Sequence, residues 1–261
     1  MSETRGITLS PSDVRHFTIC PWIVYYRKVL NEFSNYTSPQ MAVGSFEHEY
    51  RRRLNSQLLE DDSTTVRTNA IAAREAYEFS LLNYSQFPDS ITKYYDMLRT
   101  EKRSNSDIGD YHSNPVTEIE KPLNSTFELE DCQFNLNGRL DAVVRDPNQY
   151  QIPLDYKTGS SIHAEADVNQ VISYALLMQE NGYGPVPSIL IHYVTEERKV
   201  SVRVTEKRKD RVLKILRSIH NLIESGDEPD IRPLEIEYCN RCHYRPSCEA
   251  KVGEIEQNAA N

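Results

Sequence analysis

Apolar positions along the 261 residues follow two rhythms, and the change between them divides the chain. At first they fall at helical spacing. Ser10-Pro11-Ser12-Asp13 offers a cap, a proline suited to the first helical position and an early acid, which predicts a helix start. Pro21 interrupts that helix, and Trp22, Tyr25, Tyr26 and Leu30 predict that another resumes, leaving Cys20 at the joint. Ser38-Pro39 repeats the start signal, and Met41, Phe46, Tyr50, Leu54 and Leu58 predict a long helix to about residue 60. Residues 66–83 and 88–100 also read as helices, whereas the polar, turn-rich stretch 101–114 has no period and reads as a loop.

Beyond that loop the spacing is that of strands. Val116–Lys121, Thr126–Leu129 and Gln133–Arg145 are predicted strands, and Asp146-Pro147-Asn148 turns the chain into a further one over Tyr150–Lys157. A helix over 164–181 buries Val168, Val171, Ile172, Ala175 and Leu176. Ile189–Val194 and Val200–Val204 form a hairpin across Glu196-Glu197-Arg198, a helix follows over 206–225, and the chain closes on a cysteine-rich segment. This order predicts an α/β fold with one central sheet flanked by helices.

Composition sharpens this picture. Hydrophobic residues make up 38% of the chain and mean hydropathy is −0.63, yet the amphipathic patterns favour a folded protein over a disordered one. The longest apolar runs are too short for a membrane span and the N-terminus lacks a signal-peptide core, so a cytoplasmic location is the expectation. A net charge of −9 argues, taken whole, against a nucleic-acid binder. The acidity is concentrated, however: residues 61–195 hold 20 acids against 10 bases, while the regions before and after are slightly basic. Lys207, Lys209, Arg211, Lys214 and Arg217 all lie on one predicted helix. Five cysteines, an odd number without a secretory signal, argue against a disulfide framework.

From Gly138 the sequence reads GRLDAVVRDPNQYQIPLDYKTG. The period of two puts Asp155 and Lys157 on one face of their strand, and Asp141 on the neighbouring strand can meet them. Two carboxylates and a lysine at a strand end suit a hard divalent cation such as magnesium or manganese. The plainer reading of Asp-x-Lys is an exposed ion pair on a strand edge.

These strands resemble the PD-(D/E)XK nuclease superfamily, with Asp155 as the middle acid. Gln170-Val-Ile-Ser-Tyr174 is similar to the Q-x-x-x-Y helix motif of its RecB-like branch, and Gly44-Ser-Phe-Glu-His48 to that branch's G-x-x-x-H. The resemblance implies a restriction-endonuclease-like mixed sheet, with His48, Asp141, Asp155 and the Tyr156 carbonyl as metal ligands and Lys157 as the catalytic lysine. Gln170 and Tyr174 would contact substrate or support the site. Taken singly, His48 also reads as a packed histidine satisfied by Glu47 or Glu49, and Gln170 and Tyr174 as part of an amphipathic helix. Glu118 and Glu120 are acids on the preceding strand to which no metal role is given.

Cys239, Cys242 and Cys248 offer three thiols within ten residues, and a tetrahedral site or a cluster needs four. Zinc, with His243 as an alternative ligand, and plain buried cysteines are both open readings. The chain from Cys20 to Cys248 most closely resembles the small CRISPR-associated RecB-like iron–sulfur exonucleases, in which one upstream cysteine and three C-terminal ones hold a 4Fe–4S cluster. That resemblance makes Cys20 the fourth ligand and leaves Cys132 to pack on a strand. It implies a metal-dependent DNA exonuclease favouring single strands, working with CRISPR integrase proteins on fragments destined for insertion. A repair or mobile-element nuclease, or a catalytically silent DNA-end-binding module, would share the pattern. The expected organisation is one domain over 1–261: a mainly helical part to 114, a nuclease core over 115–225 and an iron–sulfur segment over 226–261.

Overall fold

The structure is a computed structural model that describes residues 6–32, 38–60, 66–98, 114–159, 161–230, 239–240 and 242–259. Helix α1 (Pro11–Ile19) starts where the sequence signals it. Ser10 Oγ accepts from the Asp13 N–H at 3.2 Å, and Asp13 Oδ2 accepts from the Ser10 N–H at 2.9 Å. This reciprocal cap satisfies two helix-end donors and is worth about 1 kcal/mol. Cys20, in extended backbone, separates α1 from α2 (Pro21–Val24), which continues into a π-helical turn over Tyr25–Val29.

Three helices follow: α3 (Pro39–Glu60), α4 (Val66–Asn83) and α5 (Pro88–Leu98). They bury a core of their own around Phe46, Tyr50, Leu54, Ile91 and Tyr94. The stretch read as a loop over 101–114 lies, apart from Asn114, outside the described residues.

The sheet has six strands: β1 (Thr8–Leu9), β2 (Val116–Glu128), β3 (Gln133–Arg145), β4 (Gln151–Lys157), β5 (Ser188–Tyr193) and β6 (Arg198–Arg203). It is mixed. β2 runs antiparallel along β3; on the other side of β3, β1 pairs in parallel near Leu136 and β4 antiparallel from Ala142 to Arg145. β5 is parallel to β4, and β6 closes the edge antiparallel to β5. A parallel β4–β5 pair requires a crossover, which α6 (Ala164–Glu180) supplies. Helix α7 (Glu206–Ser225) packs beside α6 and α1, and α8 (Arg245–Ala259) ends the described chain.

Three features differ from the sequence reading. β2 is one strand of 13 residues where two were expected, because it is an edge strand: Pro122 lacks an N–H but sits where a missing ladder donor is tolerated. β1 and α8 carry too little local pattern to be read. Cys132 lies in the turn just before β3, half-buried against the main core, rather than on the strand. Among the described residues no helix is long and apolar enough to cross a membrane.

Candidate active site

β4 sets the geometry. Asp155 and Lys157 alternate with the buried Tyr156, so they share a face, and Lys157 Nζ lies 2.8 Å from Asp155 Oδ2. The β3–β4 ladder ends at Ala142 opposite Leu154, and Asp141 and Asp155 are the next residues of the two strands beyond that end. Asp141 Oδ2 accepts the Tyr156 N–H at 2.9 Å, which fixes its carboxylate at the strand end.

Helix α3 brings His48 to the same place. Gly44 precedes it by one turn on the same helix face, and a Cβ at Gly44 would lie 3.2 Å from Thr158 Oγ1, just past β4. The missing side chain lets the helix approach that turn, and His48 Nδ1 reaches 3.3 Å from Asp141 Oδ1. Glu47 and Glu49 are engaged elsewhere. Glu47 binds Arg51 Nε at 2.7 Å and the Tyr94 hydroxyl at 2.5 Å, while Glu49 accepts from Arg52 and Arg53. The Arg51 guanidinium also lies over the Tyr156 ring, 5.3 Å from its centre, tying α3 to β4.

Helix α6 supplies the third side. Gln170 Oε1 accepts from Lys157 Nζ at 2.7 Å, and the Tyr174 hydroxyl donates to the Arg139 carbonyl at 2.8 Å. Tyr174 thus clamps α6 to β3 at the site. Gly138 makes the clamp possible, since a Cβ there would sit 2.7 Å from Tyr174 Cε1 and 3.0 Å from Pro11 Cγ. Sequence reasoning passed over this positioning role, although a glycine inside a strand is a signal for close approach.

Burial is the main electrostatic force on Asp155: it raises the carboxyl's pKa, Lys157 opposes it and Asp141 adds to it. Burial pulls the His48 imidazole down, but the charge and hydrogen bond of Asp141, with Asp155 behind it, push it up to about 9. The Tyr174 hydroxyl is raised by burial and then by Asp155 and Asp141. Asp155 Oδ2 is fully shielded from solvent and faces the Lys157 ammonium at 2.8 Å, with the His48 imidazole also acting on the carboxylate. A buried carboxylate beside a second carboxylate and an imidazole is a donor set that suits magnesium or manganese. In this conformation no three His, Cys, Asp or Glu side chains among the described residues are drawn into a ligating group. Glu118 pairs with Lys121 at 2.6 Å. Glu120, at φ 43°, stands 3.9 Å from Arg52 Nε.

The cysteines gather elsewhere. Cys20 and Cys248 are buried in an apolar patch with Trp22, Ile23, Tyr25, Tyr26 and Tyr244, against which Cys242 packs. Tyr26 and Tyr244 stack at 5.3 Å, and the Tyr244 hydroxyl donates to the Glu32 carbonyl at 3.0 Å, joining segments more than two hundred residues apart. Burial pushes the Cys20 thiol up to about 11; backbone N–H groups of Trp22 and Ile23 oppose this, and the sulfurs of Cys239 and Cys242 add to it. All five cysteines are free thiols. Cys20, Cys242 and Cys248 share this patch and Cys239 is near enough to act on the Cys20 thiol; four sulfur donors would suit either zinc or an iron–sulfur cluster. His243 is exposed beside them, and Cys132 is remote, near Asp131 and Arg217.

Comparison with known proteins shows the family. The model of the PD-(D/E)XK nuclease superfamily matches residues 8–249. Among curated proteins, the chain is 24% identical over 123 residues to "CRISPR-associated exonuclease Cas4" of Francisella tularensis subsp. novicida (strain U112), covering 47% of this chain and 60% of that protein. The alignment therefore spans less than two thirds of the relative's length. Among solved structures, "Crystal structure of SSO0001" aligns with a TM-score of 0.39 and 16% identity over 88% of this chain and 96% of that one.

Proposed function

The chain belongs to the PD-(D/E)XK nuclease superfamily, and from that premise we propose that it is a divalent-metal-dependent deoxyribonuclease acting from the ends of single-stranded DNA. The observation that carries this is the meeting of His48, Asp141, Asp155 and Lys157, drawn from three elements, around the buried Asp155 carboxylate. His48, Asp141, Asp155 and the Tyr156 carbonyl are the residues that would hold magnesium or manganese. The cation supplies Lewis-acid polarisation of the phosphate and a more acidic water.

The protein's own groups do the rest. Tyr156 N–H holds Asp141, and Gln170 holds Lys157 extended toward Asp155. Lys157 stabilises the charge that develops on the phosphate as water attacks in line and the 3′ or 5′ oxygen leaves. Tyr174 acts as a positioning residue through its bond to the Arg139 carbonyl.

Two further parts of the reading rest on resemblance together with placement. Cys20, Cys239, Cys242 and Cys248 would hold a 4Fe–4S cluster, with residues 226–261 closing on the nuclease core as one domain. The similarity to a CRISPR-associated exonuclease supports a role in trimming DNA for spacer insertion, beside CRISPR integrase proteins.

The test is incubation of anaerobically purified protein with end-labelled single-stranded and duplex DNA, with manganese or magnesium, beside Lys157→Ala. Single strands should shorten from an end and the variant should leave them intact. Degradation that is unchanged in the variant would overturn the site.

A further inference from the structure

Helix α7 carries a second concentration of chemistry. Its buried face is apolar, with Val212, Leu216 and Ile219 fully inside. On the opposite side an open groove of about 720 Å³ is lined, among the described residues, by Thr205, Lys207, Arg208, Asp210, Arg211 and Lys214. Lys207, Arg211 and Lys214 follow the i, i+4, i+7 spacing and form one stripe. In a chain of net charge −9 this runs against the overall balance.

The cations of α7 are not equally engaged. Lys209 Nζ binds Glu206 at 2.9 Å, Arg217 pairs with Asp131, and Arg208 donates to the Arg203 carbonyl at 2.9 Å. Arg211 pairs with Glu165. Lys207 and Lys214 form no ion pair among the described residues, so two ammonium groups stand ready in the groove.

Glu165 places the groove relative to the candidate site. It lies in the first turn of α6, five residues before Gln170, which accepts from Lys157. Five helical residues span about 7.5 Å along the axis. They also turn the two side chains about 140° apart, so α6 joins the groove and the site through different faces of one helix.

We propose that the α7 groove holds the phosphates of single-stranded nucleic acid outside the cleavage site, with Lys207 and Lys214 as its main contacts. This rests on the nuclease reading for its substrate class. Charge selects a polyanion, and the lining favours nucleic acid over an acidic protein: among the described residues it offers no aromatic or aliphatic anchor of the kind that centres protein interfaces, where lysine is depleted. With no ring for bases to stack on among the lining residues, the groove reads backbone and not sequence.

The experiment measures binding of a fluorescent 20-nucleotide oligothymidylate to full-length protein in a Lys157→Ala background, across a salt series, with and without the double change Lys207→Gln/Lys214→Gln. Both lysines are exposed, so the double variant keeps its fold. Two lost phosphate contacts should make the salt slope about 1.4 less negative and weaken binding about tenfold near 0.15 M salt. With Lys157 restored, cleavage of a four-nucleotide substrate should be unaffected by the double change. Unchanged affinity and slope would overturn the proposal, as would displacement of the oligonucleotide by polyglutamate at equal charge concentration. Failure of the nuclease reading looks different: no cleavage by the native protein while the lysine-dependent salt slope persists.

Discussion

The carboxylate cluster and the cysteine patch both join residues far apart in the chain, but they are held in different ways. The cluster is stapled by polar contacts inside the main sheet and its helices: Tyr156 N–H to Asp141, Lys157 to Gln170, Tyr174 to the Arg139 carbonyl. The cysteine patch is held by aromatic packing and by Tyr244 reaching the Glu32 carbonyl, while burial pushes the Cys20, Cys242 and Cys248 thiols up. Thiols must ionise before they bind a metal or cluster, so binding energy there is coupled to folding. Damage to the cluster should therefore remove chemistry and spare the fold, and damage to the patch should do the reverse.

The largest test of that contrast is Asp155→Asn. It should lower manganese-dependent DNA hydrolysis by about 10³-fold, the scale of losing a preorganised charge at a transition state, while the thermal midpoint stays level or rises, because burial already disfavours the charged carboxylate. Hydrolysis at the native rate would break the comparison at its catalytic end.

Cys20→Ala addresses the other end. The variant should purify without visible colour and be cut by trypsin within its C-terminal segment, a loss on the order of several kcal/mol if the cluster is a folding ligand. Intact coloured protein would remove Cys20 from the ligand set.

Two glycines grade the stapled region. Gly138→Ala forces a Cβ to 2.7 Å from the Tyr174 ring and should lower stability in urea by about 1–3 kcal/mol. Gly44→Ala, whose Cβ meets Thr158 Oγ1 at 3.2 Å, should cost under about 1 kcal/mol, because a hydroxyl rotor can give way. Equal costs would mean that Tyr174 is not clamped as described.

The smallest effect concerns acid. His16, beside the cysteine patch, has its pKa lowered to about 3 by burial, then by Arg27, whose Nη1 is 2.6 Å away, and by Arg15. The unfolded chain takes up this proton first, so the contribution of His16 is complete above pH 6.5 and is lost as pH falls toward 3. His16→Gln should flatten the loss of stability over that window; an unchanged acid profile would show that the imidazole stays solvated.

Much of this was legible locally, because caps and periods are short-range. The Ser10–Asp13 box, the long helix from Pro39 and the face shared by Asp155 and Lys157 follow from residues within a few positions of one another. The continuous β2 was not legible, since Pro122, Asn124 and Ser125 read as a break until β3 is there to pair with them. Gly138 carries its meaning only when Tyr174, 36 positions away in the chain, lies over it.

The ambiguity of His48 shows where the boundary lies. Its neighbours Glu47 and Glu49 pair with Arg51, Arg52 and Arg53 one turn along the same helix, while the approach of α3 to the turn after β4 gave Asp141 to the histidine. Residue types and their periods set the helices, the strands and the inventory of ligands, because those depend on interactions within a turn or along a ladder. Which ligands meet, which carboxylate is buried beside Lys157, and which cations of α7 line the groove were decided by tertiary contacts, since each depends on groups that only the folded chain brings within reach.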